Sequence, residues 1–202
     1  MRPSGGRLRR KGEARRLQIL ATAKSLLLKG GPDAVVLREV AARLDMTHSN
    51  IQYYFRTRHD MLVAIYDAEI QKYMVSVDAG PGGDAGGGGV RRLDAIIDAG
   101  LALVRSKDTA LWRLMVGMLD HSPEMAALHR KECRRYEDRL CAALQVIAPS
   151  LSPAYRRAIA VMIQAFVDGM SIRAVYEPRP GAATRLVDES IKRAFRSLVE
   201  KN

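Results

Sequence analysis

The chain has 202 residues, of which 48% are hydrophobic, and it carries a formal net charge of +11 at pH 7. This composition excludes a disordered chain and suffices for a substantial core, in one domain or in a small domain followed by a larger one. The positive charge indicates a polyanionic partner, which is a nucleic acid or an anionic membrane surface.

The amino-terminal segment is basic, with seven Lys or Arg and one Glu in residues 1–16. We interpret residues 1–12 as a flexible arm that adds salt-sensitive attraction to phosphates, and a tail without a role is the alternative. A first helix is predicted over 13–29, where Gly30, Gly31 and Pro32 end it. Its apolar stripe consists of Ile19, Leu20, Ala23, Leu26 and Leu27.

Residues 36–58 have the pattern of two short helices joined by a tight turn. The first helix has apolar residues at i, i+3, i+4 and i+7, which are Leu37, Val40, Ala41 and Leu44. Asp45 then interrupts the pattern, and Asp tolerates a left-handed conformation better than most residues. Thr47 is the predicted N-cap of a second helix that starts at His48.

One face of this second helix is predicted to be polar but uncharged. Ile51, Tyr54 and Phe55 form its apolar stripe, and the other face carries His48, Ser49, Asn50, Gln52 and Tyr53. Short hydrogen-bonding groups of this kind read base edges in the major groove, whereas phosphates attract positive charge. Arginines flank the helix on both sides, at Arg38, Arg43, Arg56 and Arg58. A solvated polar face is the alternative.

The rest of the chain is predicted to be helical throughout. A connecting helix is expected over 58–79, and residues 80–89 (GPGGDAGGGG) have the composition of a linker. Ser122 and Ser152 each precede a proline, which is typical of a helix start. Five further helices are expected at about 90–105, 108–120, 123–148, 153–176 and 182–199, which makes nine helices and an all-α fold.

The penultimate helix has small and apolar residues at spacings of four and three, which permit close helix approach. With the last helix it is predicted to form half of a dimer interface through Ala158, Met162, Ala165, Gly169, Ile172, Val187, Ile191, Ala194 and Leu198. Intramolecular core is the alternative. A second apolar set is a candidate effector pocket or plain core: Trp112, Met115, Met118, Leu119, Met125, Met162, Phe166 and Met170.

Other classes of function find little support in the sequence. It contains no nucleophile and base set, phosphate loop or paired-carboxylate motif, so we expect neither an enzyme nor a cofactor. His129 and Cys133, with His121, are a weak metal signal, and none is expected. Cys133 and Cys141 are about 12 Å apart on one helix, too far for a disulfide. No membrane span or secretory signal is found, which predicts a cytoplasmic protein.

The segment from Arg15 to Ile70 resembles the DNA-binding domain of TetR-family transcriptional regulators through ILATAKSLLLKGG, LREVAARLDM, THSNIQYYF and RTRHDML. The resemblance implies phosphate contacts at Thr47 and Tyr54, a basic residue at Arg58 that opens the fourth helix, and base-facing positions at His48, Asn50, Gln52 and Tyr53. The chain departs from the family at Val35 and Val36, where a capping Thr or Ser is usual. Asp45 replaces the usual turn glycine, and Ser49 replaces a glycine that is common at the start of the helix.

The resemblance further implies a helix-turn-helix domain over 13–57 and an effector-binding and dimerisation domain over 90–202, with a weak likeness to the BetI branch. The expected function is that of a homodimeric repressor, bound to a palindromic DNA operator and released by a small effector. The alternative is a basic helical protein that binds nucleic acid or membrane surfaces without sequence choice. The operator, the effector and the regulated genes do not follow from the sequence.

Overall fold

The structure is a computed structural model that describes residues 5–78, 89–106, 109–175 and 181–200. Within these residues, regular structure is helical, as predicted. The nine α-helices are α1 (Gly5–Gly30), α2 (Leu37–Arg43), α3 (His48–Tyr54), α4 (Arg58–Asp78), α5 (Gly89–Val104), α6 (Thr109–Val116), α7 (Pro123–Ile147), α8 (Pro153–Arg173) and α9 (Ala182–Glu200). Short 3-10 turns occupy Pro32–Ala34 and Leu119–His121.

The first helix is longer than the sequence pattern indicates. It begins at Gly5, so that residues 5–12 of the predicted flexible arm belong to α1. The glycines in this stretch suggest flexibility, but the Arg, Leu and Lys residues between them are good helix formers. The predicted linker lies outside the described residues, except for Gly89, which begins α5.

The chain divides into two compact units. The first consists of Met1–Gln71 and Leu114–Ala126, and the second of Lys72–Arg113 and Ala127–Asn202. The first unit therefore includes most of α4 and a segment around the start of α7, whereas the sequence suggested a boundary at residue 57. Its core buries the predicted stripe of α1 together with Val40, Ile51 and Tyr66.

The second unit is a helical bundle around one apolar cluster. Leu93, Ile97 and Leu101 of α5 are buried there with Leu144 of α7 and Ile163 of α8. At Gly100, α5 approaches α8 so closely that an added Cβ would lie 2.7 Å from a methyl group of Val167. The absence of a side chain at this position is therefore what permits the packing.

Three ion pairs attach α9 to α5 or to the residue that follows it. Arg105 pairs with Asp188, Arg196 pairs with Asp94, and the Lys192 amine lies 2.7 Å from an oxygen of Asp98. Ion pairs as well as apolar contacts therefore stabilise the packing of α9 in this unit.

Candidate functional site

The turn between α2 and α3 has the geometry that the sequence predicted. Asp45 has a φ of 52°, in the left-handed region, and its conformation lets the chain reverse direction after α2. Thr47 is the N-cap of α3, and its Oγ1 accepts a hydrogen bond of 3.2 Å from the backbone N–H of Asn50. Ile51 and Phe55 are buried, which fixes the rotation of α3 about its axis.

The opposite face of α3 is open to solvent. His48, Ser49, Asn50, Gln52 and Tyr53 are all exposed, and Tyr53 retains 84% of its accessible surface. Tyr54 is half-buried, and its ring packs edge-on against Tyr53 with 5.2 Å between centroids. The residues predicted to face bases are therefore brought together on one accessible surface, which we call the α3 face.

The N-cap of α2 lacks a side-chain hydrogen bond, as expected from Val35 and Val36, which stand where the family usually has a capping Thr or Ser. Val36 is the N-cap residue, has an extended conformation and provides no side-chain hydrogen bond to the first turn. Arg38 is exposed in that turn, while Arg43 pairs with Glu39 at 2.8 Å. Arg38 is thus accessible in the first turn of α2, and its contact with DNA stays a prediction.

Arg58 has structural partners that the sequence pattern did not reveal. Its Nε donates to the carbonyl oxygen of Pro32 at 3.1 Å, and its Nη2 donates to Asp33 Oδ1 at 2.7 Å. The start of α4 is thereby joined to the turn between α1 and α2. A phosphate contact by Arg58 stays a prediction, and it requires this side chain to leave or share these partners.

Arg16 is a second arginine whose position the sequence did not indicate. Its guanidinium carbon lies 5.3 Å from the centroid of the Phe55 ring, at a cation–π distance. This contact connects α1 to the end of α3. Like the Arg58 contacts, it joins residues far apart in sequence, so no local pattern could have indicated it.

The predicted seam of α8 lies on the surface of the single chain. Ala158, Met162, Ala165, Gly169 and Ile172 are all exposed, with Met162 at 40% and Ile172 at 58%. The core face of α8 is formed instead by Ile159, Ala160, Ile163, Val167 and Met170. Intramolecular core is therefore excluded for this row. On α9, Ala194 is exposed, while Val187, Ile191 and Leu198 are half-buried against the bundle.

The residues of the predicted effector pocket fall in both compact units. Met115, Met118, Leu119 and Met125 belong to the first unit, and Trp112, Met162, Phe166 and Met170 to the second. Phe166 packs against Phe195 with 6.5 Å between ring centroids, and Met170 belongs to the bundle core. Met162, which the sequence assigned to both sites, lies in the exposed row of α8.

Polar side chains lie close together where α6, α7 and α8 meet in the second unit. The rings of Trp112 and His129 are 5.6 Å apart, and His129 Nε2 lies 3.4 Å from Cys133 Sγ. Burial lowers the pKa of His129, raises the pKa of the Cys133 thiol, and raises the pKa of Asp168 to about 6. The sequence pointed to Trp112 but not to Asp168, since a single acid in a helix gives no local signal.

Three of the minor sequence predictions can be compared with the structure. Within the described ranges, no cluster of three or more His, Cys, Asp or Glu side chains has the arrangement of a metal site. Cys133 and Cys141 are both free thiols of intermediate burial. Among the helices described, none combines the length and the apolar character that crossing a bilayer requires.

Two family models match the chain, one in each part. The model of bacterial regulatory proteins of the tetR family matches residues 19–65, and the model of the BetI-type transcriptional repressor carboxy-terminal domain matches residues 89–196. The chain is 28% identical over 171 residues to an uncharacterized HTH-type transcriptional regulator in the dhlA 5' region of Xanthobacter autotrophicus, and the match covers 83% of each protein.

Solved structures with low sequence identity share the fold. A transcriptional regulator from Rhodococcus sp. Rha1 superimposes with a TM-score of 0.73 at 20% identity, over 92% of this chain and 96% of that one. A protein from Saccharomonospora viridis, solved in complex with choline, has a TM-score of 0.70 at 15% identity, over 94% and 97% of the two chains. At these identities the likeness shows the architecture alone.

Proposed function

This chain belongs to the TetR family of DNA-binding transcriptional regulators, and we propose that it is a homodimeric repressor that reads a palindromic operator and is released by a small effector. The α3 face carries the proposal. It is accessible, polar and uncharged, and its orientation is fixed by the buried Ile51 and Phe55. Such a face suits base edges better than phosphates.

We assign the roles of individual residues on this surface from their exposure. His48, Ser49, Asn50, Gln52 and Tyr53 read base edges. Arg38, Thr47 and Tyr54 contact phosphates on either side of the groove, and they fix the register of α3 on the duplex. Arg58 supports DNA binding at the edge of this surface, either by contacting a phosphate or by its ion pair with Asp33.

Dimerisation is assigned to the row of small and apolar residues on α8. Those residues are exposed in the single chain, and Gly169 has nothing within 4 Å of the position of a Cβ. A second α8 therefore has room to approach, with α9 at its side through Ala194 and the half-buried Val187, Ile191 and Leu198. Two α3 helices related by a two-fold axis read two halves of a palindrome.

Nonspecific binding of nucleic acid is the competing proposal, because the net charge of +11 favours any polyanion. The two differ in their response to salt and to sequence. Binding that rests on phosphates alone declines steeply with salt and ignores sequence, whereas base reading preserves a preference among sequences at the same salt.

Selection of binding sites from random duplex DNA at near-physiological salt tests the proposed function. We expect an enriched palindrome that is preferred over scrambled DNA by about 10³ or more. No enrichment, together with binding that disappears as salt is raised, would contradict specific regulation and favour the nonspecific binder. A chain with Asn50→Ala and Gln52→Ala provides the control, since it retains the charge of the wild type and loses base contacts.

A further inference from the structure

Five side chains of α6, α7 and α8 form a connected polar group, which we call the Trp112–Asp168 cluster: Trp112, His129, Cys133, Gln164 and Asp168. Trp112 lies beside His129, and His129 beside Cys133, at the distances given above. The Gln164 side chain hydrogen bonds to Cys133. Gln164 and Asp168 are four residues apart on α8, so their side chains are neighbours on one side of the helix.

One acceptor in this cluster is buried without a donor, and a neighbouring carboxylate has no paired cation among the described residues. Gln164 Oε1 is buried and accepts no hydrogen bond from the described part of the chain, so the amide nitrogen is the group bonded to Cys133. The Asp168 side chain is half-buried, and no Lys, Arg or His among the described residues pairs with its carboxylate. A buried acceptor without a donor is rare in native proteins, and a carboxylate without a paired cation lies next to this one on α8, so we infer that a bound molecule supplies the donors.

Among the acids near Cys133, Asp168 is the one without a paired cation in the described part of the chain. Glu132, Glu137 and Asp168 all act electrostatically on Cys133. Arg135 pairs with Glu132, and Arg157 pairs with Glu137 and Asp138, so these charges offset one another. Arg113 donates to the carbonyl oxygen of Ser171. The Asp168 carboxylate therefore keeps its negative charge without a paired arginine among the described residues. Arg130 lies near His129 on α7 and is exposed. The Trp112 ring adds a π-face, which attracts positive charge.

We propose that the effector carries a protonated amine, whose N–H groups donate to the Asp168 carboxylate and to Gln164 Oε1 while its charge lies near the Trp112 ring. This inference rests on the proposed function, since it names the ligand class of the effector domain. A quaternary ammonium has no N–H group and would leave Gln164 Oε1 without a partner. A neutral alcohol can donate to one acceptor but leaves the carboxylate without a counter-charge.

Trp112 makes the test direct, because it is the only tryptophan in the sequence. The full-length protein is titrated with butylamine, cyclohexylamine and phenethylamine while the emission of Trp112 is recorded. We expect saturable binding of at least one amine. For each amine, the controls are the alcohol and the quaternary ammonium compound with the same carbon skeleton. For phenethylamine these are 2-phenylethanol and the N,N,N-trimethyl derivative, and we expect both to bind at least tenfold more weakly than the amine. No response to any of the three amines overturns the proposal, and so does equal binding of the alcohol or the quaternary compound.

Substitutions test whether the amine binds at the named acceptors. Asp168→Asn keeps the shape and removes the charge, and Gln164→Met removes the free acceptor at similar volume. Each is expected to weaken binding of the responding amine at least tenfold. Glu189→Gln makes the same charge change at an exposed position of α9 and should leave binding unchanged. Thermal melts establish that each variant is folded, and a folded Asp168→Asn protein with wild-type affinity contradicts the assignment.

Operator binding is measured separately, so that failure of the inference and failure of the proposed function remain distinct. If the protein binds the selected operator but no amine changes the emission of Trp112, the proposed ligand class is wrong and the proposed regulatory function is retained. If an amine binds in the way described but random DNA yields no preferred sequence, the proposed function fails and the amine site stands. Release of operator DNA by the responding amine, and not by its alcohol analogue, supports both.

Discussion

At the scale of single residues, Gln52 provides the clearest test of base reading. Its amide is exposed on the α3 face and has both donors and an acceptor, the groups that pair with adenine in a major groove. We expect Gln52→Ala to reduce the affinity for the selected operator by about 1 to 3 kcal/mol, with the loss confined to particular base pairs. Competition with operator variants measures it. Gln145→Ala, at an exposed position of α7, is the matched control, and equal losses on all DNA would count against base reading.

Arg58 and Asp33 allow a phosphate contact to be separated from a structural one. We expect Arg58→Ala to weaken binding to all sequences alike, because neither of its possible roles involves a base. If Arg58 acts by holding the turn after α1, Asp33→Ala should reproduce much of that loss, because it removes the same ion pair. The pair is exposed to solvent, with the Asp33 side chain 98% exposed, so its contribution to folding is small. Unchanged DNA affinity in Asp33→Ala would exclude the ion pair as the reason why Arg58 matters for binding.

Asp168 makes the free energy of unfolding depend on pH. Burial raises its pKa from 3.8 to about 6, so the folded state binds this proton more strongly than the unfolded state does. Its contribution to stability is therefore largest below about pH 4 and declines as the pH rises toward 6 and just above. His129 and Cys133, whose pKa values burial also shifts, are present in both the wild type and the variant, so the difference between the two proteins isolates Asp168.

We therefore predict that Asp168→Asn is more stable than the wild type at pH 7, by roughly 1 to 2 kcal/mol after allowance for partial exposure. The difference should shrink as the pH falls below 5. Urea unfolding of both proteins at pH 4.5, 6 and 7.5 measures it. A difference that stays constant across these three conditions would show that Asp168 does not titrate in this range.

At the scale of elements, α3 depends on its cap because it has only seven residues. Short helices receive little stability from their own hydrogen bonds, and Thr47 supplies one of the missing partners. We expect Thr47→Ala to reduce stability by about 1 kcal/mol and to speed amide exchange in the first turn of α3. Thr47→Ser keeps the hydroxyl and should preserve the protection. Equal exchange in the two variants would show that the cap has no stabilising role.

The elements also show what the sequence could and could not predict. Asp45, Thr47 and Ser152 act through neighbours within four residues, and their turn and caps follow from residue type. The hydrogen bond from Arg58 to Asp33 spans 25 residues, and no pattern along the chain indicates it. The same holds for Gln164 and Asp168, whose importance depends on which side chains α6 and α7 bring to them. The start of α1 was misjudged because glycine weakens a helix without always ending it.

At the scale of the whole molecule, the main prediction concerns assembly. Ala165 lies in the middle of the exposed row on α8, so Ala165→Glu should leave the fold of one chain intact and place a charge at the centre of the proposed interface. We expect a monomer at micromolar concentration and a large loss of affinity for a palindrome, because the two half-sites no longer act together. Light scattering after gel filtration gives the mass. Ala142→Glu, at an exposed position on α7, is the control, and a dimeric Ala165→Glu protein would place the interface elsewhere.

The distribution of residues around α8 has a mechanical consequence. One side of this helix is core, the opposite side is the exposed row, and Asp168 lies between them. A helix moves largely as a rigid body. If a ligand bound to the Asp168 carboxylate shifts or rotates α8, the core side and the exposed row of the helix therefore move together with it. The signal would then need no relay of side chains, because the element that senses the ligand is the one that sets the distance between two copies of the chain.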